Sequence, residues 1–121
     1  MSQITNSKQN KYNLEERTFN FTKRVNRYVN KLPKTISNLE NGKQLVKAAG
    51  SVGANYIEAN EALSKKDFKL RIKISKKESK ESRYWLRLIE PLEKELKEQE
   101  ALIKEATELM KIFGSILEKS K

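Results

Sequence analysis

The sequence predicts an all-α protein, an antiparallel up-down four-helix bundle. Helix-favouring residues such as Lys, Glu, Leu and Ala are abundant, whereas the 121 residues include only four Gly and two Pro. Apolar residues recur at alternating steps of three and four, which is the spacing of one face of a helix. A chain of this length typically folds as one domain, which we expect to span residues 13–119.

The first helix is predicted over residues 13–32. It follows a polar segment, 1–12, that lacks apolar periodicity and that we expect to be a flexible tail. Asn13 can cap the helix, because its short polar side chain can accept a hydrogen bond from a free N–H group of the first turn. Pro33 then marks the end, since proline cannot continue a helix.

The second helix is predicted over residues 41–63. Asn41, with Gln44 three residues later, resembles a capping box, and the segment before it should be a polar linker. Gly50 and Gly53 lie in the middle of this helix, where each costs about 1 kcal/mol relative to alanine. We therefore expect a neighbouring helix to approach closely at the two glycines.

The third and fourth helices are predicted over residues 65–89 and 92–118. Ser64 and Asp67 form a second capping signature, so the turn that precedes the third helix should be short. A short turn makes the second and third helices antiparallel neighbours. Pro91 disfavours the helical conformation in the residue before it and so separates the last two helices.

Positive charge is concentrated in the third helix. Residues 65–89 hold ten Lys and Arg against three acidic residues, in a chain of net charge +10. Placed about 100° apart around the helix axis, eight of these cations form one stripe, about 30 Å long, with no acidic residue in it. This basic stripe consists of Lys66, Lys69, Lys73, Lys76, Lys77, Lys80, Arg83 and Arg87.

Two interpretations of the basic stripe are open. Like charges side by side repel one another, and nucleic acid would supply the compensating charge and release counterions on binding. Tyr84 lies on the same side of the helix and could stack on an unpaired base. The alternative is a lysine-rich surface that only keeps the protein in solution.

A further arc of the third helix, which we call the apolar arc, lies on the side away from the basic stripe. Together with the core-facing positions it makes an apolar sector of roughly 200°, whereas a helix of a monomeric bundle usually presents about 100°. We expect another subunit to cover the surplus. The predicted subunit contacts are Leu70, Ile74, Glu78, Glu81, Trp85 and Leu88.

Several functional classes are disfavoured by what the sequence lacks. It has no Cys and no His, which excludes disulfides, thiolate metal sites and a histidine base. The carboxylate pairs Glu58/Glu61 and Glu78/Glu81 lack the histidines of a di-metal bundle site, so we expect no metal and no cofactor. We expect no enzymatic activity. Because no apolar run approaches about 20 residues and no signal segment is evident, we expect a cytoplasmic protein without membrane contact.

Two motifs carry a family resemblance, Asn55-x-x-Glu58 and Lys77-Glu78-x-x-Glu81-x-x-Tyr84-Trp85-Leu86. With these motifs, residues 17–118 resemble the small bacterial four-helix proteins first named for open reading frames within intervening sequences of 23S ribosomal RNA genes. The resemblance implies an antiparallel bundle that assembles into a ring-like homopentamer of largely undefined role. A related branch, the accessory variability protein of diversity-generating retroelements, is a basic pentameric barrel that engages a reverse transcriptase and nucleic acid.

The sequence thus leads to one principal hypothesis and one alternative. The principal hypothesis is a non-enzymatic, basic, homo-oligomeric module that binds nucleic acid, with structured RNA such as ribosomal RNA as the favoured ligand. The alternative is a protein-interaction scaffold, or an accessory subunit that docks a nucleic-acid enzyme such as a reverse transcriptase. RNA binding predicts a steep dependence of affinity on salt, whereas a scaffold would bind RNA no better than any polycation.

Overall fold

The computed structural model describes the backbone of residues 3–121 and the side chains of residues 14–121. Over this range the chain has four α-helices and no β-strand, which confirms the predicted all-α, four-helix architecture. A short 3-10 helix, Glu93–Glu95, precedes the last α-helix. The four α-helices are α1 (Gln3–Asn30), α2 (Ile36–Asn60), α3 (Lys65–Leu88) and α4 (Leu96–Lys119).

The helices pack around one core. α3 lies between α2 and α4 and contacts both, while α1 packs mainly on α2 and touches α4 at fewer points. All four helices supply buried side chains, and the rings of Tyr56 and Phe113 meet with their centroids 5.9 Å apart. None of the described helices is both long enough and apolar enough to cross a membrane.

α1 begins at Gln3, ten residues before the predicted start at Asn13. No Gly or Pro occurs between Gln3 and Leu14. A helix anchored in the core from Leu14 onward can therefore extend towards the N-terminus, because each added residue gains a hydrogen bond without a new nucleation step. Met1 and Ser2 of the predicted tail lie outside the described residues, and the mobility of residues 1–12 stays a prediction.

The predicted start of α2 at Asn41 is wrong. α2 begins at Ile36, and the Thr35 hydroxyl caps it by accepting a hydrogen bond of 3.1 Å from the Asn38 backbone N–H. The buried Asn38 side chain donates to the Glu90 carbonyl (2.9 Å) and accepts from the Glu90 N–H (3.1 Å). Thr35 therefore caps the helix five residues before the predicted linker ends, and Asn38 ties the start of α2 to the chain beyond α3.

α3 begins as predicted, with the Ser64 hydroxyl accepting a 3.1 Å hydrogen bond from the Asp67 backbone N–H. α4 starts at Leu96 rather than at 92, because the 3-10 turn comes first. The Gln99 amide donates hydrogen bonds of 2.9 Å to the backbone carbonyls of Leu86 and Ile89. It thereby satisfies carbonyls at the end of α3 that have no partner within the helix.

The close approach expected at the two glycines of α2 occurs at Gly53 alone. A Cβ atom at Gly53 would lie 3.1 Å from Oγ1 of Thr18 on α1, whereas one at Gly50 would meet nothing within 4 Å. Thr18 is buried and its hydroxyl donates to the Glu15 carbonyl, which limits its freedom to move away. The α1–α2 contact therefore depends on the missing side chain of Gly53, whereas Gly50 has no part in it.

These surroundings predict opposite results for the same substitution at the two glycines. We expect Gly50→Ala to raise the free energy of unfolding by about 0.5–1 kcal/mol, since alanine favours the helix and has room there. Gly53→Ala should be less stable than Gly50→Ala by about 1–3 kcal/mol, because its methyl group crowds Thr18. Urea unfolding of both variants checks this, and equal stabilisation would show that α1 and α2 do not meet at Gly53.

Candidate nucleic-acid interface

The basic stripe covers the outer surface of α3, and two of its cations lie next to α4. The Lys76 amino group reaches Gly114 of α4, where it lies 3.7 Å from the position that a Cβ atom would take. Arg83 Nη1 lies 3.5 Å from Oγ1 of Thr107. Lys69 and Arg83 are half-buried, and the remaining six cations of the stripe are exposed. The structure thus places all eight predicted cations along one helix surface.

None of these eight cations forms an ion pair with a carboxylate among residues 14–121. Three acidic residues of α4 instead pair with arginines of α1. Arg17 donates to Glu105 at 2.7 and 2.8 Å and to Glu108 at 2.7 Å, and Arg24 donates to Glu98 at 2.8 Å. These three carboxylates of α4 are therefore paired with α1 and not with the stripe.

The hydrogen bonds across the α1–α4 seam also stabilise the charged form of the arginines. The hydrogen bond to Glu105 raises the pKa of Arg17, and the hydrogen bond to Glu98 raises the pKa of Arg24. Both arginines are partly exposed, so water and salt weaken these interactions. These ion pairs mainly determine which sides of α1 and α4 meet, and they add little to the stability of the fold.

Part of the apolar arc of α3 is buried within the chain, and part of it is exposed. Ile74, Glu78 and Trp85 are half-buried, and Trp85 packs against the core of its own chain. Leu70 and Leu88 remain 53% and 46% exposed. The sequence predicted a second subunit because α3 has a wide apolar sector. Part of that sector is covered within one chain, because α2 and α4 flank α3 on two sides.

A groove of about 650 Å³ runs between α2 and α3, beside the basic stripe. Tyr84, 55% exposed, and Trp85 form one wall, with their ring centroids 5.0 Å apart in an edge-to-face arrangement of 79°. The groove therefore combines aromatic surface with charged groups of both signs. Its lining residues are Gln44, Lys47, Ala48, Lys77, Glu78, Lys80, Glu81, Tyr84 and Trp85.

Two carboxyl groups lie together in this groove. Burial raises the pKa of Glu78, and a hydrogen bond with the Glu81 carboxyl group raises it further, while a hydrogen bond with Ser51 acts in the opposite direction. Neither carboxyl group forms an ion pair with a described side chain. The pair can accept hydrogen bonds from a ligand in the groove.

Sequence reasoning missed the contribution of α2 to this groove. It assigned Gln44 to a helix cap and gave Lys47 no role, whereas both line the wall opposite Tyr84. The signal was present in the helical spacing, since positions 44, 47 and 51 flank the core positions of α2 on one side. Which neighbour that side meets depends on how α2 and α3 pack.

The sequence pattern of the 23S rRNA-intervening sequence proteins matches residues 10–115. The chain belongs to this family. Among solved structures it is similar to a protein of unknown function of the S23 ribosomal protein family from Bacteroides thetaiotaomicron, with a TM-score of 0.73 and 24% identity over 89% of this chain and 97% of the other. At that identity the likeness bears on the fold alone. No curated protein matches the sequence.

The raised pKa of Glu78 predicts that this family member gains stability when the carboxylate is removed. Because the folded chain holds the proton to a higher pH than the unfolded chain does, ionisation of Glu78 disfavours folding as the pH rises past its ordinary value of 4.5. Glu78→Gln should therefore melt at a higher temperature than the wild type at pH 7, and at the same temperature well below pH 4.5.

Thermal melts followed by circular dichroism at both pH values measure this difference. Glu100→Gln, on the exposed side of α4, removes an equal charge and serves as the control. A gain of the same size for the control, or one that persists in acid, would mean that net charge or packing is responsible and not the ionisation of Glu78.

Proposed function

We propose that this protein is a non-enzymatic, homo-oligomeric nucleic-acid-binding module, and that the basic stripe of α3 is its binding surface. The observation that carries the proposal is the alignment of eight cations along one surface of α3, none of them in an ion pair with a described side chain. Like charges on neighbouring positions of a helix destabilise it, so this alignment is unfavourable until an anion binds, whereas Arg17 and Arg24 of α1 have carboxylate partners. A polyanion is the ligand that such a surface fits.

The dimensions of the stripe support contact with several phosphates. Lys66 and Arg87 are 21 residues apart on one helix, which corresponds to about 30 Å at 1.5 Å per residue. Each phosphate that a cation neutralises releases counterions, and the affinity then falls steeply with salt. The family takes its name from intervening sequences of 23S ribosomal RNA genes, and on this association alone we place structured RNA, ribosomal RNA in particular, first among the candidate ligands.

We also infer that the subunit is an antiparallel, up-down bundle. Along the α1–α4 seam, Arg17 pairs with Glu105 whereas Arg24, later in α1, pairs with Glu98, earlier in α4. The partners run in opposite order along the two helices. α3 packs between α2 and α4, and its outer surface stays open to a ligand.

Self-association is best supported on the surface formed by α1 and α2. Phe19 and Ile57, 56% and 52% exposed, both line a shallow cleft between these helices. Leu39 and Val46 continue the exposed apolar surface along α2. We propose that copies of the chain meet on this α1–α2 surface. Five copies would form the ring that the family resemblance implies.

Removing charge from the middle of the stripe should weaken RNA binding in a salt-dependent way. The triple variant Lys73→Gln, Lys76→Gln and Lys80→Gln should reduce the slope of log affinity against log salt by about 2, at roughly 0.7 per single-strand phosphate contact. Fluorescence anisotropy with a labelled RNA hairpin measures the slope, and circular dichroism checks the fold.

A matched control removes the same charge elsewhere. The exposed Lys94, Lys97 and Lys104, changed to Gln, lie outside the stripe and should leave the slope nearly unchanged. An equal loss in both triple variants would mean that net charge alone attracts RNA. Weak, indiscriminate wild-type binding that vanishes at physiological salt would favour instead the scaffold that docks a nucleic-acid enzyme.

The self-association surface is tested by placing a charge on each candidate face. Ile57→Lys should lower the particle mass measured by light scattering while helical circular dichroism is retained, because a buried ammonium group is costly at an interface. Leu88→Lys, on the α3 face, should keep the wild-type mass. A fall in mass for Leu88→Lys alone would show that the chains meet on the apolar arc of α3 instead. A wild-type particle of 14.1 kDa, the mass of one chain, would contradict self-association altogether.

A further inference from the structure

We propose that the groove between α2 and α3 binds one unpaired guanine base of an RNA whose backbone lies on the basic stripe. The inference rests on the proposed RNA-binding function and adds a site for a single base and a preference among bases. It assigns Glu78, Glu81 and Trp85 to ligand recognition, whereas the sequence assigned them to a subunit interface.

The groove has the size and the surface that a nucleobase requires. At about 650 Å³ it falls within the range of small-ligand sites. The half-exposed Tyr84 ring offers a face for stacking, and Trp85 behind it supports that ring edge-to-face. Stacking on aromatic side chains is the usual way in which proteins hold unpaired bases of RNA.

The groove and the stripe form one continuous surface. Lys77 and Lys80 belong to the basic stripe and also line the groove, and Lys47 of α2 stands on the opposite wall. An RNA strand whose phosphates lie along α3 could therefore place one base in the groove beside Tyr84 while its phosphates stay in contact with the lysines. The three amino groups can contact the phosphates on either side of that base.

The carboxyl pair distinguishes guanine from the other bases. The Watson–Crick edge of guanine presents two adjacent donors, N1–H and the N2 amino group, which fit the two oxygens of one carboxylate. Uracil has a single donor between two carbonyls, adenine has one amino donor beside an acceptor, and cytosine likewise. Glu81 is exposed at the groove and can accept both of these hydrogen bonds, and the half-buried Glu78 lines the same wall.

The other chemically reasonable occupant is a Lys or Arg side chain from a second protein chain, attracted by the same two carboxyl groups. The three lysines on the groove walls disfavour it, since they repel a cationic segment. The aromatic wall and the surrounding amino groups together favour a ligand that is flat and anionic, which describes a nucleotide.

Trp85 supplies a direct readout because it is the only Trp of the chain. The full-length wild-type protein is titrated with four RNA hairpins that differ in one unpaired loop base, G, A, C or U, with Trp85 emission and binding affinity recorded together. The G hairpin should bind roughly 5–100-fold more tightly than the others, the range for one bidentate base contact, and should quench Trp85.

Two variants and a control separate the parts of the site. Glu81→Gln should abolish the preference for the G hairpin, Tyr84→Leu should weaken binding of all four hairpins, and the control Glu100→Gln should keep the wild-type ratio. Equal wild-type affinities, or Trp85 emission that RNA does not change, would overturn the inference while salt-dependent binding to the stripe left the proposed function standing.

A change of particle mass in Glu81→Gln with no change of base preference would also overturn the inference, because the carboxyl pair would then serve a contact between chains. Binding of no hairpin at all would remove the base site and the proposed function together.

Discussion

The close burial of α3 between α2 and α4 is the constraint on which the rest of the structure depends. Three serines lie at the buried face of α3, where their small side chains let the helix approach its neighbours. Ser75 donates a 2.9 Å hydrogen bond to the Val52 carbonyl of α2, and Ser79 and Ser82 donate to carbonyls one turn earlier in α3. The hydroxyls of these three serines thus all have partners, as buried polar groups require.

Charge segregation within one chain follows from this arrangement. Glu98, Glu105 and Glu108 of α4 pair with Arg24 and Arg17 on α1. Exposed ion pairs contribute little to stability, so their main effect is on which surfaces carry net charge. The result is a helix surface about 30 Å long whose cations have no described carboxylate partner.

The groove next to that surface illustrates why a helical wheel is incomplete evidence. The wheel of α3 shows Glu81 and Trp85 on an apolar arc that a single helix cannot bury by itself. In the structure α2 covers part of this arc and adds Gln44 and Lys47 to a common cleft. The same α3 side chains fit either a subunit contact or a ligand site. The α2 residues on the opposite wall of the groove are what favour the ligand site.

The sequence by itself determined the fold class, the core periodicity, the Ser64 cap of α3 and the basic stripe, because each depends on residues close together in one helix. Only the tertiary structure decided the start of α2, where Thr35 caps the helix while Asn38 bonds to Glu90, more than fifty residues away. It also decided the ion pairing of α1 with α4 and the walls of the groove. Those features depend on side chains from separate helices. The residue spacing along one helix does not show which other helix will pack against it.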